Sequence, residues 1–185
     1  MIKLFFAFLL TAASAGLFAS DAPVHISSGN KWFIVDKSKT KSPALSVTLR
    51  EINGEILVQE KIKKTTKYNL KFIPDGEYII QVEDDQKLTT QKISISNGAI
   101  LSKNASTIYK PYFIEKKDHL DMNLMTQGMP AEITIRNDAG EIISQEKITN
   151  EVSVTRRFNT KKLSKEPYYV TVELGGQTFI SEFNK

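Results

Sequence analysis

His25 and His119 are the two histidines of this 185-residue chain, and it has no cysteine. His119 sits in Glu115-Lys116-Lys117-Asp118-His119-Leu120-Asp121. An imidazole beside two carboxylates has the donor types that hold a divalent cation. On a strand, however, Asp118 and His119 point to opposite faces, and Lys116 and Lys117 repel a cation. The segment therefore reads as the polar entry to a strand. Asp84-Asp85 is the clearest acidic pair. Paired catalytic carboxylates need a cleft that fixes their separation and raises one pKa, and a tight turn offers none. The chain has no Gly-x-Ser-x-Gly elbow, no phosphate-cradling glycine loop, no calcium loop and no thiol nucleophile. No catalytic, cofactor-binding or metal-ligating residue is assigned, and a non-enzyme without a cofactor is expected.

Cationic and aromatic side chains point to binding instead. Lys61, Lys63 and Lys64 cluster with Lys67. On a strand Lys61 and Lys63 share a face opposite Ile62. That is the pattern of a protected sheet edge, and also of a patch for an acidic polysaccharide or an anionic envelope surface. Arg156, Arg157, Lys161, Lys162 and Lys165 form a comparable group in the second half. Trp32, Tyr109, Tyr112 and Tyr169 lie outside the regular alternation. Exposed aromatics on a sandwich rim make contacts in many binders, but Trp32-Phe33 and Tyr112-Phe113 lie in strands expected to feed a core.

The elements carrying these residues come in two copies. Gly54-Glu55-Ile56-Leu57-Val58-Gln59-Glu60-Lys61-Ile62 returns 86 residues later as Gly140-Glu141-Ile142-Ile143-Ser144-Gln145-Glu146-Lys147-Ile148, identical at seven of nine positions. Leu45, Val47 and Leu49 alternate with polar residues ahead of the first copy, as Ile133 and Ile135 do ahead of the second. This period of two buries one strand face and wets the other. Asn53-Gly54 predicts a tight type I′ hairpin. Asp138-Ala139-Gly140 predicts a turn one residue longer, with a bulge. Tyr68, Leu70 and Phe72 alternate, then Pro74-Asp75-Gly76 turns the chain into Tyr78, Ile80 and Val82, which align with Tyr168, Val170 and Val172. Ser96-Asn97-Gly98 closes the first copy. Residues 21–31 read as loose, residues 31–35 as the first strand, and residues 108–114 and 120–125 as strands. The first copy has no clear match to residues 120–125, so a shorter strand set is expected there.

Many short strands with turns every 8–12 residues, and no 3.6-residue apolar stripe, predict an all-β chain. The expected architecture is two tandem immunoglobulin-like or fibronectin-like antiparallel β-sandwich domains, 24–98 and 105–185. Ahead of them, Lys3, an apolar run to Phe18 and the small residues near Ala15 and Ala19 form a signal peptide over residues 1–19. No later stretch reaches membrane-spanning length. Residues 21–100 carry 12 basic and 10 acidic side chains and residues 101–185 carry 12 and 11. Neither half is a basic module, which argues against a nucleic-acid partner.

The turn and core residues Asn53-Gly54-Glu55-Ile56, Phe72-Ile73-Pro74-Asp75-Gly76-Glu77-Tyr78, Asp138-Ala139-Gly140-Glu141-Ile142 and Tyr168-Tyr169-Val170 resemble small exported β-sandwich proteins of Bacteroidetes, flavobacteria in particular, built of DUF3244-like units. More distantly they resemble the C-terminal sorting domains of the type IX secretion system. The resemblance implies fold and export and carries no catalytic residue. The expected protein is periplasmic, cell-surface or secreted. It is a structural or interaction module for a protein or glycan partner, or alternatively a carbohydrate or anionic-surface binder through Lys61, Lys63 and Lys64.

Overall fold

The alternation around the repeated nonapeptide builds the centre of each copy. In the computed structural model, which describes residues 23–27 and 31–185, Leu45, Val47 and Leu49 are fully buried in β3 (Leu45–Glu51). Ile133 and Ile135 take the same role in β12 (Ala131–Asn137). The signal peptide expected over residues 1–19 lies outside the described residues. There are sixteen strands among the described residues, all paired antiparallel, and one 3₁₀ turn at Lys37–Lys39. In the first copy β1 (Val24–Ser27), β2 (Trp32–Val35) and β5 (Thr66–Asn69) form one sheet in the order β1-β2-β5. Facing it is a sheet in the order β4-β3-β6-β7-β8, from β4 (Ile56–Ile62), β3, β6 (Gly76–Glu83), β7 (Lys87–Ser96) and β8 (Ala99–Ser102).

The second copy repeats the frame. β10 (Tyr112–Lys116), β11 (His119–Met125) and β14 (Ser153–Asn159) make the sheet β10-β11-β14. β13 (Ile142–Ile148), β12, β15 (Pro167–Leu174) and β16 (Gln177–Asn184) make β13-β12-β15-β16. First, second and fifth strands on one side, with fourth, third, sixth and seventh on the other, is a fibronectin-like sandwich order. Each sandwich encloses its own core. One runs from Val24 to Ile100 through Phe33, Tyr68 and Ile80; the other runs from Ile108 to Phe183 through Met122, Val154 and Val170.

This frame corrects several expectations. The first copy has no shorter strand set: β1 and β2 are the counterparts of β10 and β11, and Phe33 of β2 is fully buried and stacks on Tyr68 at 4.6 Å. Residues 24–27 are therefore a strand, not a loose segment. The two repeated hairpins have equal connections, residues 52–55 and 138–141, and each has its register shift at the same place, Leu49/Arg50 and Ile135/Arg136. Only the glycine takes positive φ, 101° at Gly54 and 82° at Gly140. Gly54 N–H bonds Glu51 C=O at 3.0 Å and Gly140 N–H bonds Asn137 C=O at 3.0 Å. Both turns are thus bulged, and the type I′ form expected at Asn53 does not occur. Phe72 does not continue the inward alternation. β5 ends at Asn69, whose side chain accepts the Lys71 N–H, and Phe72 is 94% exposed. Ser96-Asn97-Gly98 is a hairpin turn into β8, and Ile100 re-enters the first core.

Each copy also fastens its sixth strand with a tyrosine. Tyr78 Oη donates to Pro74 C=O at 2.9 Å. Tyr168 Oη lies 3.5 Å from Ser164 C=O and 3.0 Å from Glu166 Oε1. A tyrosine at the start of this strand, bonded back to the corner before it, is the tyrosine corner of such sandwiches.

The copies meet through β9 (Ser106–Tyr109), which pairs with β7 of the first sandwich while Ile108 packs into the core of the second. A Cβ placed on Gly175, in the last turn of the second copy, would stand 2.8 Å from Ile108 Cδ1.

Candidate functional site

The residues with catalytic types are spent on structure. Asp121 and Arg157 are opposite one another in the β11–β14 register. Arg157 donates to Asp121 through Nε at 2.6 Å and Nη2 at 2.9 Å, a bidentate pairing. These bonds hold the Asp121 carboxyl below the usual range, with Arg157, His119 and Lys116 adding favourable charge. His119 Nε2 is 3.5 Å from Asp121 Oδ2, since residues two apart on a strand share a face. Asp118 is in the preceding turn, 3.8 Å from Lys185 Nζ. The structure therefore joins His119 to Asp121 and separates Asp118. Among the described residues no three His, Cys, Asp or Glu side chains converge on a metal position. Asp84 caps its turn: Oδ1 accepts the N–H groups of Gln86 at 2.8 Å and Lys87 at 2.7 Å, and Oδ2 accepts the Thr40 hydroxyl at 2.8 Å.

The lysine cluster divides. Lys61 is exposed near the end of the edge strand β4, and Lys63 and Lys64 are exposed in the turn after it. Lys61 and Lys63 line a surface depression of about 600 Å³ with Lys110, opposite Glu83, Asp84 and Asp85. Lys110 Nζ reaches Glu83 Oε1 at 2.6 Å. Lys64 is not part of this lining. Three cations facing three carboxylates leave little net field for a polyanion. Lys67 instead lies 4.3 Å over the Trp32 ring on the outer face of the first sheet, a cation–π contact.

A more cationic depression, also about 600 Å³, lies on the second sandwich. Lys116 and Lys117 reach it from the β10–β11 turn, Lys165 from the β14–β15 loop and Lys185 from the end of β16, with His119 on its wall and Glu115 as its one acidic side chain. These residues are far apart in sequence, so no local spacing announces them. Arg156, by contrast, is occupied by Glu146 at 2.7 Å and Glu151 at 3.2 Å. The aromatics also differ from expectation. Phe33 is core, but Tyr112 is largely exposed and Tyr109 is exposed at the junction of the copies.

With this geometry in place, the likeness to known proteins can be located. Residues 28–96 match the family model of a secretion system C-terminal sorting domain. The match points to an exported protein and bears out the more distant resemblance, the one to a sorting domain, over the first copy. No curated protein matches the chain. Among solved structures, a biofilm associated protein (BSP domain) is 10% identical, at TM-score 0.28; the alignment covers 88% of this chain and 29% of that one. The FN1-FN3 domains of chicken CNTN1 are 9% identical at TM-score 0.29, over 88% of this chain and 67% of that one. The chain thus spans under a third of the length of the first of these. Among the described residues no helix is long and apolar enough to cross a membrane.

Proposed function

We propose that this chain is an exported, non-enzymatic interaction module, with two fibronectin-like domains, the first expected over 24–98 and extended by β8 to Ser102, the second over 105–185, presenting surfaces to another macromolecule of the envelope or the medium. The sorting-domain match over residues 28–96 carries this reading. A sorting domain acts by being recognised and needs no chemistry of its own. Repetition of the same frame in the second copy adds a second surface, and two linked modules gain through effective concentration when they engage one partner. The use of Asp84 and Asp121 as turn and strand fasteners supports a binding role over a catalytic one.

The test uses residues 20–185 as bait against the envelope fraction of the native host. Stoichiometric co-purification of one protein or glycan supports the module. A folded monomer that retains nothing from envelope or medium rejects it.

A second reading, binding of an acidic glycan or anionic surface, is favoured by the depression around Lys116, Lys117, Lys165 and Lys185. Heparin-type glycan binding should weaken steeply with salt and with Lys117→Glu and Lys165→Glu. Lys61→Glu, Lys63→Glu and Lys64→Glu test the alternative patch. Unchanged retention in both sets rejects the polyanion reading.

A further inference from the structure

The two copies differ in what covers their last strand. Gly175-Gly176 is a two-residue hairpin turn with positive φ at both positions, 57° and 75°. In such a hairpin the flanking pair, Leu174 and Gln177, exchanges both backbone bonds, and the pattern then alternates. The N–H and C=O groups of Thr178, Ile180 and Glu182 therefore point away from β15, toward the open edge. The first copy obeys the same rule. Asp84 N–H bonds Lys87 C=O at 2.9 Å, so Leu88 and Thr90 face outward, and there they pair with Ile108 and Ser106 of β9. Lys110 N–H continues the ladder to Gln86 C=O at 2.8 Å. Aligning Tyr78 with Tyr168 places Leu88 on Thr178, Thr90 on Ile180 and Glu83 on Glu173.

The β16 edge is also weakly protected, with Glu182 as its one charged side chain. The outer edges β4 and β13 each carry the repeated lysine, Lys61 or Lys147, and pair with their neighbours across a bulge. β16 has no Lys, Pro, Gly or bulge along its pairing with β15, and Ile180 is 69% exposed. Among the described residues no strand pairs with its outer side. Residues 178–181 form one wall of a groove of about 380 Å³, whose other wall includes Pro111 and Phe113.

We propose that the outer edge of β16 receives an extended strand from a partner polypeptide, antiparallel and in the register that β9 takes on β7. The occupant's chemistry follows from β9 and the residue after it. It has a β-branched residue opposite Thr178 and an aromatic beside it. A Lys or Arg then follows, meeting the exposed Glu173 as Lys110 meets Glu83. Backbone bonds supply affinity and alternate side chains supply selectivity. This inference deepens the module reading and rests on it.

A synthetic peptide with the sequence of residues 104–110, blocked at both ends, is titrated into residues 20–185 and followed by amide NMR shifts. Saturable binding with shifts confined to residues 173–183 is expected. Ile180→Pro should leave the fold intact, because that N–H serves no internal bond, and should weaken binding by about tenfold or more. Ile180→Lys provides a second blocked edge. Peptide Lys110→Glu should bind the parent weakly and recover on Glu173→Lys. No saturation into the millimolar range, shifts at β4, β13 or β7, or parent-like binding by both Ile180 variants would overturn the proposal. So would collapse of the fold in Ile180→Pro, which would mean that the N–H bonds β15. Concentration-dependent dimerisation with the same shifts and no peptide would replace the partner with a second copy. A peptide failure beside a successful bait experiment removes only the edge, not the module.

Discussion

Adding one methyl group at Gly175 should separate the cost of the turn from the cost of the contact between the copies. Gly175 and Gly176 occupy the same turn at φ 57° and 75°. An L-alanine in that left-handed region costs about 1–2 kcal/mol at either position. The surroundings differ. A Cβ on Gly176 meets nothing within 4 Å, whereas one on Gly175 lies 2.8 Å from Ile108 Cδ1 and 3.2 Å from Met129 Sδ. Both neighbours are ends of side chains that can shift, so overpacking adds about 1 kcal/mol, the low end of such insertions. Gly175→Ala should therefore unfold in urea with about 2–3 kcal/mol less stability than the parent, and Gly176→Ala with about 1–2 kcal/mol less. The same pair is then measured in an Ile108→Ala background. Ile108→Ala is itself destabilising, because the side chain is buried in the second core, but the gap between the two glycine variants should shrink to what the Met129 contact alone leaves. Equal losses in the parent background, or a gap undiminished by removal of Ile108, would refute the argument that β9 delivers Ile108 against this turn.

Two further outcomes follow from the frame. Tyr78→Phe and Tyr168→Phe should each lower stability by about 1 kcal/mol in chemical denaturation, the net worth of one partly buried hydrogen bond, with binding properties unchanged. The pH dependence is set by Asp36, Asp75 and Asp121. Each carboxyl is held below its ordinary value: Asp36 mainly by the Ser38 hydroxyl, Asp75 mainly by the Asn97 N–H, and Asp121 mainly by the Arg157 guanidinium. A depressed folded value means that the unfolded chain binds protons first. Stability should be full above the unfolded carboxyl value of about 3.9 and fall as pH drops through and below it. Asp75→Asn should flatten that decline, as read from thermal midpoints between about pH 5 and pH 2. A midpoint that rises on acidification through this window would contradict the assignment.

The duplication, the all-β class and the position of most strands can be read along the chain. These depend on local patterns: a repeated nonapeptide, a period of two in Leu45, Val47 and Leu49, and glycines at turns. The same patterns misled where a local signal met a competing one. Asn53-Gly54 reads as a type I′ turn, yet the bulge after Leu49 absorbs the twist, so only Gly54 needs positive φ. Tyr68-Asn69-Leu70-Lys71-Phe72 alternates perfectly, yet the Asn69 side chain captures the Lys71 N–H and ends the strand before Phe72. The short β1 was hidden because a four-residue strand carries too few alternations to register.

Which residues share a surface follows from the packing of the strands. It divided Lys61 and Lys63 from Lys64, set three carboxylates against them, and gathered Lys116, Lys117, Lys165 and Lys185 from three separate segments. It also left β16 with an open edge where β7 has β8 and β9. Side-chain alternation is a property of one strand and can be read along the chain. Strand order, edge exposure and charge clustering are properties of pairs of strands distant in sequence, and long-range packing alone fixes them.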